Sequence, residues 1–264
     1  MTNPMPARQE CAAVVLGGPT TVLDLGGLRI VADPTFDDAG PHGYLTKTAG
    51  PAATEDEVGP VDLVLVSHDL HPDNLDDRGR AFALSAPLIL TGPATAGRLG
   101  PPSAGLAAWS GHALPRPGGG GELAVMAVPA VPGPEDGERD GDGDGKVNCE
   151  VTGFVLSGHG LATVYVSGDN ASIRTVAEIA RRVPEIDVAV LNAGAARVAA
   201  KFDGRPLSLD SHRAAAAAAV LGVKVVVPAH YDGWAHFSEG RAELEQTFYE
   251  AGLSSSLRVA AHRS

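Results

Sequence analysis

Three apolar stretches, far apart along the chain, each end abruptly in residues that can ligate a metal ion. Continuous apolar runs of this length are typical of β-strands buried on both faces, and neighbouring parallel strands bring their carboxyl ends to the same edge of a sheet. The stretches occupy residues 61–66, 162–166 and 223–227, and the residues that follow them are His68, His71 and Asp73, then Asp169, then His230. The pattern predicts that these five side chains meet at one rim of a sheet.

The remaining pattern predicts strands and helices in a regular order. Apolar runs at 12–16, 20–25 and 28–32 are separated by glycine-rich turns and indicate an opening meander. Further strands are expected at 61–66, 88–90, 123–128, 151–156, 162–166, 186–191 and 223–227, and helices at 78–84, 94–99, 172–183 (capped by Asn170), 210–221 and 241–251. In each half the strands come first and the helices after. This order favours an α/β (α+β) fold with two mixed sheets face to face and helices outside, a four-layer αββα sandwich.

Length, charge and cysteine content limit the kinds of protein that this chain can be. The 264 residues suit a single domain over residues 1–264 that needs no disulfides. The net charge of −12 disfavours nucleic acid as a partner, and no apolar stretch approaches the roughly 20 residues of a transmembrane helix. We therefore expect a soluble cytoplasmic protein, monomeric or homo-oligomeric, that acts on a small molecule without a nucleic-acid or membrane partner. The two cysteines, Cys11 and Cys149, are far apart and are interpreted as structural or incidental.

The residues at the strand ends predict a hydrolytic metal site. Imidazole and carboxylate ligands together suit zinc, manganese or iron(II). Such a metal would lower the pKa of a coordinated water toward about 7, and Asp73 is the predicted catalytic residue, because its carboxylate can accept that proton or orient the water. The competing interpretation is a degenerate site whose histidines only form hydrogen bonds to loops.

Four segments, in order along the chain, carry a family resemblance. They span residues 17–36 with the Asp-Pro turn at Asp33, residues 67–76 (SHDLHPDNLD), residues 166–169 (VSGD) and residues 227–237 (VPAHYDGWAHF). Together they resemble the metallo-β-lactamase superfamily. The first resembles the opening strands of the branch related to L-ascorbate-6-phosphate lactonase, and the others resemble the HxHxDH metal loop, the strand end with the metal-bridging aspartate and the last metal-histidine segment. The resemblance implies an αββα fold and a metal-dependent hydrolase that cleaves a small polar ester, lactone or phosphoester.

Two positions depart from the pattern that the resemblance implies. One extra residue separates His68 from His71, and Asn74 stands where the loop's third histidine is expected. Pro132 stands where relatives of this branch carry a further metal histidine. The five remaining candidates suffice for one metal ion, so one ion rather than two is expected, with zinc as first choice and manganese or iron as alternatives. The departures also leave open a binding or scaffold protein that lost catalysis, and a metal-dependent oxidoreductase or lyase.

Residues beside the ligand candidates are assigned supporting roles. The resemblance implies that Asp33 buttresses the metal loop, with a turn cap as the alternative. Asn74, Tyr231 and His236 are expected near the metal or the substrate. Residues 133–146 are expected to form a flexible acidic loop; its DGDGDG sequence imitates the start of an EF-hand loop but lacks the required glutamate at the last position.

Overall fold

Short glycine-rich turns fold the first three strands into an antiparallel meander, and alternating strands and helices build the rest. The computed structural model describes residues 5–134 and 149–259. Its strands are β1 Cys11–Gly17, β2 Thr20–Leu25, β3 Leu28–Ala32, β4 Gly40–His42, β5 Leu45–Lys47, β6 Leu63–Val66, β7 Ile89–Thr91, β8 Ser103–Gly105, β9 Gly111–Pro115, β10 Glu122–Pro129, β11 Thr152–Ser157, β12 Val164–Val166, β13 Val188–Asn192 and β14 Val225–Ala229. Its α-helices are α1 Glu55–Val58, α2 Asp77–Ser85, α3 Pro93–Leu99, α4 Ile173–Arg182, α5 Ser211–Leu221 and α6 Arg241–Glu250.

The strands form two six-stranded mixed sheets and one small ribbon. The first sheet has the order β1-β2-β3-β6-β7-β8, the second has the order β14-β13-β12-β11-β10-β9, and β4 pairs with β5. In the first sheet β3, β6, β7 and β8 are parallel, and in the second β12, β13 and β14 are parallel. The carboxyl ends of several strands therefore lie at one edge of each sheet, where the following loops can carry a site.

The two sheets pack face to face through apolar side chains that alternate along the strands. Ile30 and Leu65 of the first sheet belong to the same buried cluster as Leu123 and Phe154 of the second. All four are at most 1% exposed. This dry layer fixes the position of one sheet relative to the other, and hence the spacing of the loops at their rims.

Helices cover the outer faces of both sheets. On the second sheet α4 buries Val176 and Ile179, α6 buries Phe248, and the alanine-rich α5 approaches closely because its side chains are small. On the first sheet, Val58 of α1 and Ala83 of α2 are buried in a separate cluster. The architecture is the four-layer αββα sandwich that the sequence predicts.

Capping residues fix the helices that follow the site loops. The Asp210 side chain caps α5, and Gly222 ends it in the left-handed conformation, which favours glycine. The prediction that Asn170 caps α4 is wrong, because the cap is Ser172, whose hydroxyl accepts from a backbone amide three residues on at 3.1 Å. Asn170 instead accepts from Val131 N at 3.0 Å and ties the loop after β12 to the segment after β10.

Several short elements escape sequence-based prediction. They are β4, β5, β8, β9 and α1, each of three to five residues, which is too short to show a hydrophobic period. The acidic loop predicted at 133–146 lies almost entirely outside the described residues. Within the two described ranges, no helix has the length and apolar character needed to cross a bilayer.

Gly79, in the first turn of α2, packs against the turn that carries Asp33. A Cβ at position 79 would overlap the backbone carbonyl of Pro34. We expect Gly79→Ala to lower the free energy of unfolding by about 3 kcal/mol, because the backbone must shift to relieve the overlap. Gly97→Ala in α3 is the matched control: open space surrounds that position, so the change should be neutral or stabilise by up to about 1 kcal/mol. Urea denaturation measures both, and equal stabilities of the two variants would contradict the packing.

Candidate metal centre

Loops from both sheets converge at the carboxyl ends of β6, β12 and β14. The segment after β6 carries His68, His71 and Asp73, the segment after β12 carries Asp169, and His230 directly follows β14. All five side chains are buried. The structure brings them together in two adjoining groups.

Asp73, Asp169 and His230 form the first group, called here the carboxylate group. One ligand atom of each residue lies within 4.8 Å of one from both others. His230 Nε2 lies 3.0 Å from Asp73 Oδ2 and 3.6 Å from Asp169 Oδ1. Asn192 Nδ2 donates to the same Asp169 oxygen at 2.9 Å and thereby fixes that carboxylate.

His236 adds a second imidazole to the carboxylate group. Its Nε2 lies 2.9 Å from Asp73 Oδ2, the oxygen that His230 also contacts. The Nδ1 atoms of His230 and His236 are buried without a hydrogen-bond partner among the described residues. Two imidazole nitrogens thus converge on one carboxylate oxygen. Imidazole and carboxylate together form a donor set that suits a divalent metal ion.

Burial and neighbouring charges shift the pKa values of Asp73 and His230 in opposite directions. Burial alone would raise the pKa of Asp73, but hydrogen bonds from His230 and His236 hold it well below its ordinary value. Burial alone would lower the pKa of His230, but the Asp169 and Asp73 carboxylates raise it. Asp73 is therefore ionised at neutral pH, as a metal ligand or a general base must be.

The backbone at His230 is held in a conformation that is rare for a residue with a side chain. Its φ is 59°, in the left-handed region, which costs free energy outside glycine. Two neighbours hold this conformation. His230 N donates to Gly18 O at 2.6 Å, and Gly194 packs so closely that a Cβ there would overlap the His230 carbonyl oxygen. The imidazole is thus directed to Asp73 by the surrounding loops.

His68, His71 and Cys149 form the second group, called here the imidazole group. One ligand atom of each lies within 4.8 Å of one from both others, and all three side chains are buried. His68 Nε2 lies 2.8 Å from His71 Nδ1 and 4.0 Å from Asp169 Oδ2. Burial lowers the pKa of both histidines and raises the pKa of the Cys149 thiol to about 12. Both imidazoles are therefore neutral, which is the form that ligates metals.

Hydrogen bonds behind His68 fix its tautomer. Asp33 accepts from Ser67 N at 2.7 Å and from Ser67 Oγ at 2.8 Å. Because the Ser67 hydroxyl donates to Asp33, its oxygen accepts from His68 Nδ1 at 3.0 Å, and the lone pair of His68 lies on Nε2. Asn74 Nδ2 also donates to Asp33, at 3.4 Å. Asp33 therefore holds Ser67 and Asn74, on both sides of His68 and His71, which is the buttressing position that the resemblance implies for this carboxylate.

Lys201, from the segment before α5, reaches the imidazole group. Its Nζ lies 3.0 Å from His71 Nε2 and 5.7 Å from the centre of the Tyr44 ring, and the residue is 4% exposed. These described contacts are an imidazole and an aromatic ring rather than a carboxylate. The structure thus places one buried lysine side chain against the imidazole group.

The structure changes the interpretation of two residues. Tyr231 does not face the two groups as the sequence suggests, because it is buried in the hydrophobic layer with Leu244 and Phe248. The left-handed φ of 59° at His230 turns the chain between the two side chains, so His230 lies in the site while the next side chain lies among the helices. Cys149, interpreted from the sequence as structural or incidental, lies in the imidazole group.

A family model decides the wider relationship of the chain. The model for the beta-lactamase superfamily domain matches residues 28–231, which is more than three quarters of the sequence. The chain belongs to the metallo-β-lactamase superfamily. The match includes Asp73, Asp169, His230 and the three residues of the imidazole group, and it ends before His236. No curated protein sequence matches the chain.

Solved structures share the metallo-β-lactamase fold with this chain. An isothiocyanate hydrolase from Delia radicum gut bacteria superposes with a TM-score of 0.78 at 20% identity, covering 94% of this chain and 96% of that one. A possible metal-dependent hydrolase from Veillonella parvula has a TM-score of 0.78 at 13% identity with the same coverage. The diiron β-hydroxylase CmlA from Streptomyces venezuelae has a TM-score of 0.67 at 14% identity, covering 98% of this chain and 54% of that one. At these identities the likeness shows the fold alone.

Proposed function

We propose that this protein is a metal-dependent hydrolase that cleaves an ester, lactone or phosphoester bond in a small polar substrate. The observation that carries the proposal is the meeting of Asp73, Asp169 and His230, from three distant segments, in one buried group. The sequence resemblance to the branch related to L-ascorbate-6-phosphate lactonase supports a small polar substrate. The hydrolases among the structures of similar fold support the reaction type.

The carboxylate group offers defined roles to its members. Asp73, Asp169 and His230 would hold one divalent ion, zinc as first choice and manganese or iron as alternatives, with His68 and His71 adjoining. When bound, the ion would supply a Lewis acid that lowers the pKa of a water molecule and polarises the bond to be cleaved. Asp73 would orient the attacking water and accept its proton.

His236 is the member of the site that lies nearest to solvent. Its side chain is 10% exposed, compared with 4% for Asp73. We assign it to substrate contact at the leaving group, since an incoming molecule reaches it before the buried carboxylates. Its hydrogen bond to Asp73 would hold the imidazole in place for that contact.

A substrate panel tests the proposed reaction. Metal-free protein is reloaded with zinc, manganese or iron(II) and assayed against lactones, carboxylic esters, phosphoesters and an isothiocyanate, the last because a protein of similar fold is an isothiocyanate hydrolase. We expect turnover of at least one class, and none in the double variant His71→Ala with His230→Ala. Protein that binds metal yet turns over no class faster than the double variant would contradict the proposal.

Lys201 gives a prediction about the charge of the substrate. A buried ammonium that contacts an anionic substrate group contributes about 1.5–3 kcal/mol, so we expect Lys201→Met to raise the KM for an anionic substrate by at least about tenfold. The KM for a neutral ester should not change. Lys224→Met is the control, because that side chain is 81% exposed and pairs only at the surface. Equal KM values in both variants would remove Lys201 from substrate binding.

One specific observation favours a second candidate, a binding or scaffold protein that lost catalysis. His68, Asn74 and His230 are 0% exposed, and Asn74 gives an amide where the resemblance implies an imidazole. A protein that keeps the fold and excludes substrate would show metal binding without turnover in the panel. The panel therefore separates the two candidates directly.

The remaining proposals concern the partner of the protein, its oligomeric state and its location in the cell. We propose a small molecule as the partner, since the net charge of −12 disfavours nucleic acid. A homo-oligomeric state is tested by light scattering of the purified protein. A cytoplasmic location is tested by cell fractionation.

A further inference from the structure

The imidazole group contains three donors of the kind that closes a metal site. His68, His71 and Cys149 are each buried and have one ligand atom apiece within 4.8 Å of the others. Two neutral imidazoles and one sulfur form a set that suits zinc, cobalt(II) or copper. The carboxylate group does not use any of these three residues, so they remain to be explained.

The backbone around Cys149 is anchored beside the metal loop. Thr152 N donates to Ser67 O at 3.0 Å, which joins the start of β11 to the residue before His68. Glu150 accepts from Ala94 N at 2.9 Å at the beginning of α3. Cys149 lies directly before these two attachment points, and its side chain is 5% exposed. Its place beside the histidines is therefore set by the fold on either side of the metal loop.

We propose that Cys149 is a metal ligand that completes, with His68 and His71, a second metal position of sulfur and nitrogen donors. The tautomer of His68 fits this role. Its Nδ1 donates to Ser67, so its lone pair lies on Nε2, which faces His71 Nδ1 at 2.8 Å, where the donor atoms of the group converge. Pro132, from the other end of the segment between β10 and β11, has no side-chain donor. Cys149 supplies a donor from the end of that same segment.

Asp169 places the second position next to the first. Its Oδ2 lies 4.0 Å from His68 Nε2 and its Oδ1 lies 3.6 Å from His230 Nε2. One carboxylate thus faces both groups with different oxygens. The second position goes beyond the proposed hydrolase, which requires only the ion of the carboxylate group. It replaces the expectation of a single ion with two ions in chemically different surroundings.

Cobalt(II) substitution tests the sulfur ligand without an activity assay. Cobalt bound by a thiolate gives a near-ultraviolet charge-transfer band, whereas cobalt bound by oxygen and nitrogen gives only weak visible bands. We expect the wild-type protein to show both and to bind a second equivalent of cobalt. Cys149→Ser should lose the charge-transfer band and the second equivalent but keep visible bands from the carboxylate group.

Cys11→Ser is the matched control, because it leaves Cys149 as the sole cysteine of the chain. Cys11 is exposed on β1, so this variant should keep the full charge-transfer band and decides the question even if Cys149→Ser does not fold. Visible bands without a charge-transfer band in Cys11→Ser would overturn the proposal that Cys149 is a metal ligand. The hydrolase proposal would remain. A protein that binds no cobalt at all would overturn both.

Discussion

Replacing Asp73 with asparagine should lower kcat/KM by roughly 10³-fold or more while the protein stays folded. The amide keeps the shape of the side chain but removes its charge, and it offers one oxygen in place of two. His230 and His236 both contact the same Asp73 oxygen, at 3.0 and 2.9 Å. The variant therefore weakens the ligand set, the general base and the orientation of two imidazoles in one step.

Asp38→Asn is the control for this substitution, because its side chain is 96% exposed and its ion pair is with Arg78 rather than with a residue of the site. It should retain full activity and full stability. Circular dichroism establishes that Asp73→Asn is folded before its rate is compared. An Asp73→Asn protein that keeps more than about a tenth of the activity would exclude this residue from the reaction.

Removing the metal should lower the thermal unfolding midpoint by roughly 10 °C. Metal held at a thousand times its dissociation constant stabilises a protein by about 4 kcal/mol, and for a chain of this size each kcal/mol corresponds to a few degrees. The structural reason is the burial of Asp73 and Asp169, which are 3% exposed, since buried carboxylates are costly unless a cation compensates them.

The double variant His71→Ala with His230→Ala shows whether the change in the unfolding midpoint comes from metal bound at this site or from a general effect of the chelator that removes the metal. Its midpoint should be the same with and without metal, because it lacks one imidazole from each group. Calorimetric scans at equal protein concentration measure the midpoints of the wild-type protein and the double variant, each with and without metal. A shift of the same size in the double variant would show that the stabilising metal binds elsewhere.

The architecture follows from the sequence because its signals are local and strong. Val64 and Leu65 lie in a continuous apolar run that ends abruptly in polar residues, and β6 forms there, two residues shorter than predicted. The Asp210 and Gly222 signals mark the ends of α5. The meeting of Asp169 and His230 follows from strand order, since β12 and β14 belong to one parallel set. The expectation of a single sheet rim is wrong for His68, which follows β6 of the other sheet and reaches them because the two sheets pack face to face.

The parts of the site that the sequence does not reveal depend on long-range packing. Cys149 and Lys201 have no motif, and they reach His71 only because separate loops return to the same rim. Tyr231 lies among the helices rather than in the site, because its neighbour His230 takes a left-handed φ of 59° that the sequence pattern does not show. The sequence predicts His236 only near the metal or the substrate, because its contact with Asp73 joins residues 163 positions apart along the chain.

Elemental analysis of protein purified without chelators tests most directly whether these distant residues bind a common metal. We expect the wild-type protein, and a control with the exposed residues His112 and His159 both changed to alanine, to carry bound divalent metal. The double variant His71→Ala with His230→Ala should have lost most of it. Equal metal content in the double variant and the wild-type protein would contradict the metal centre.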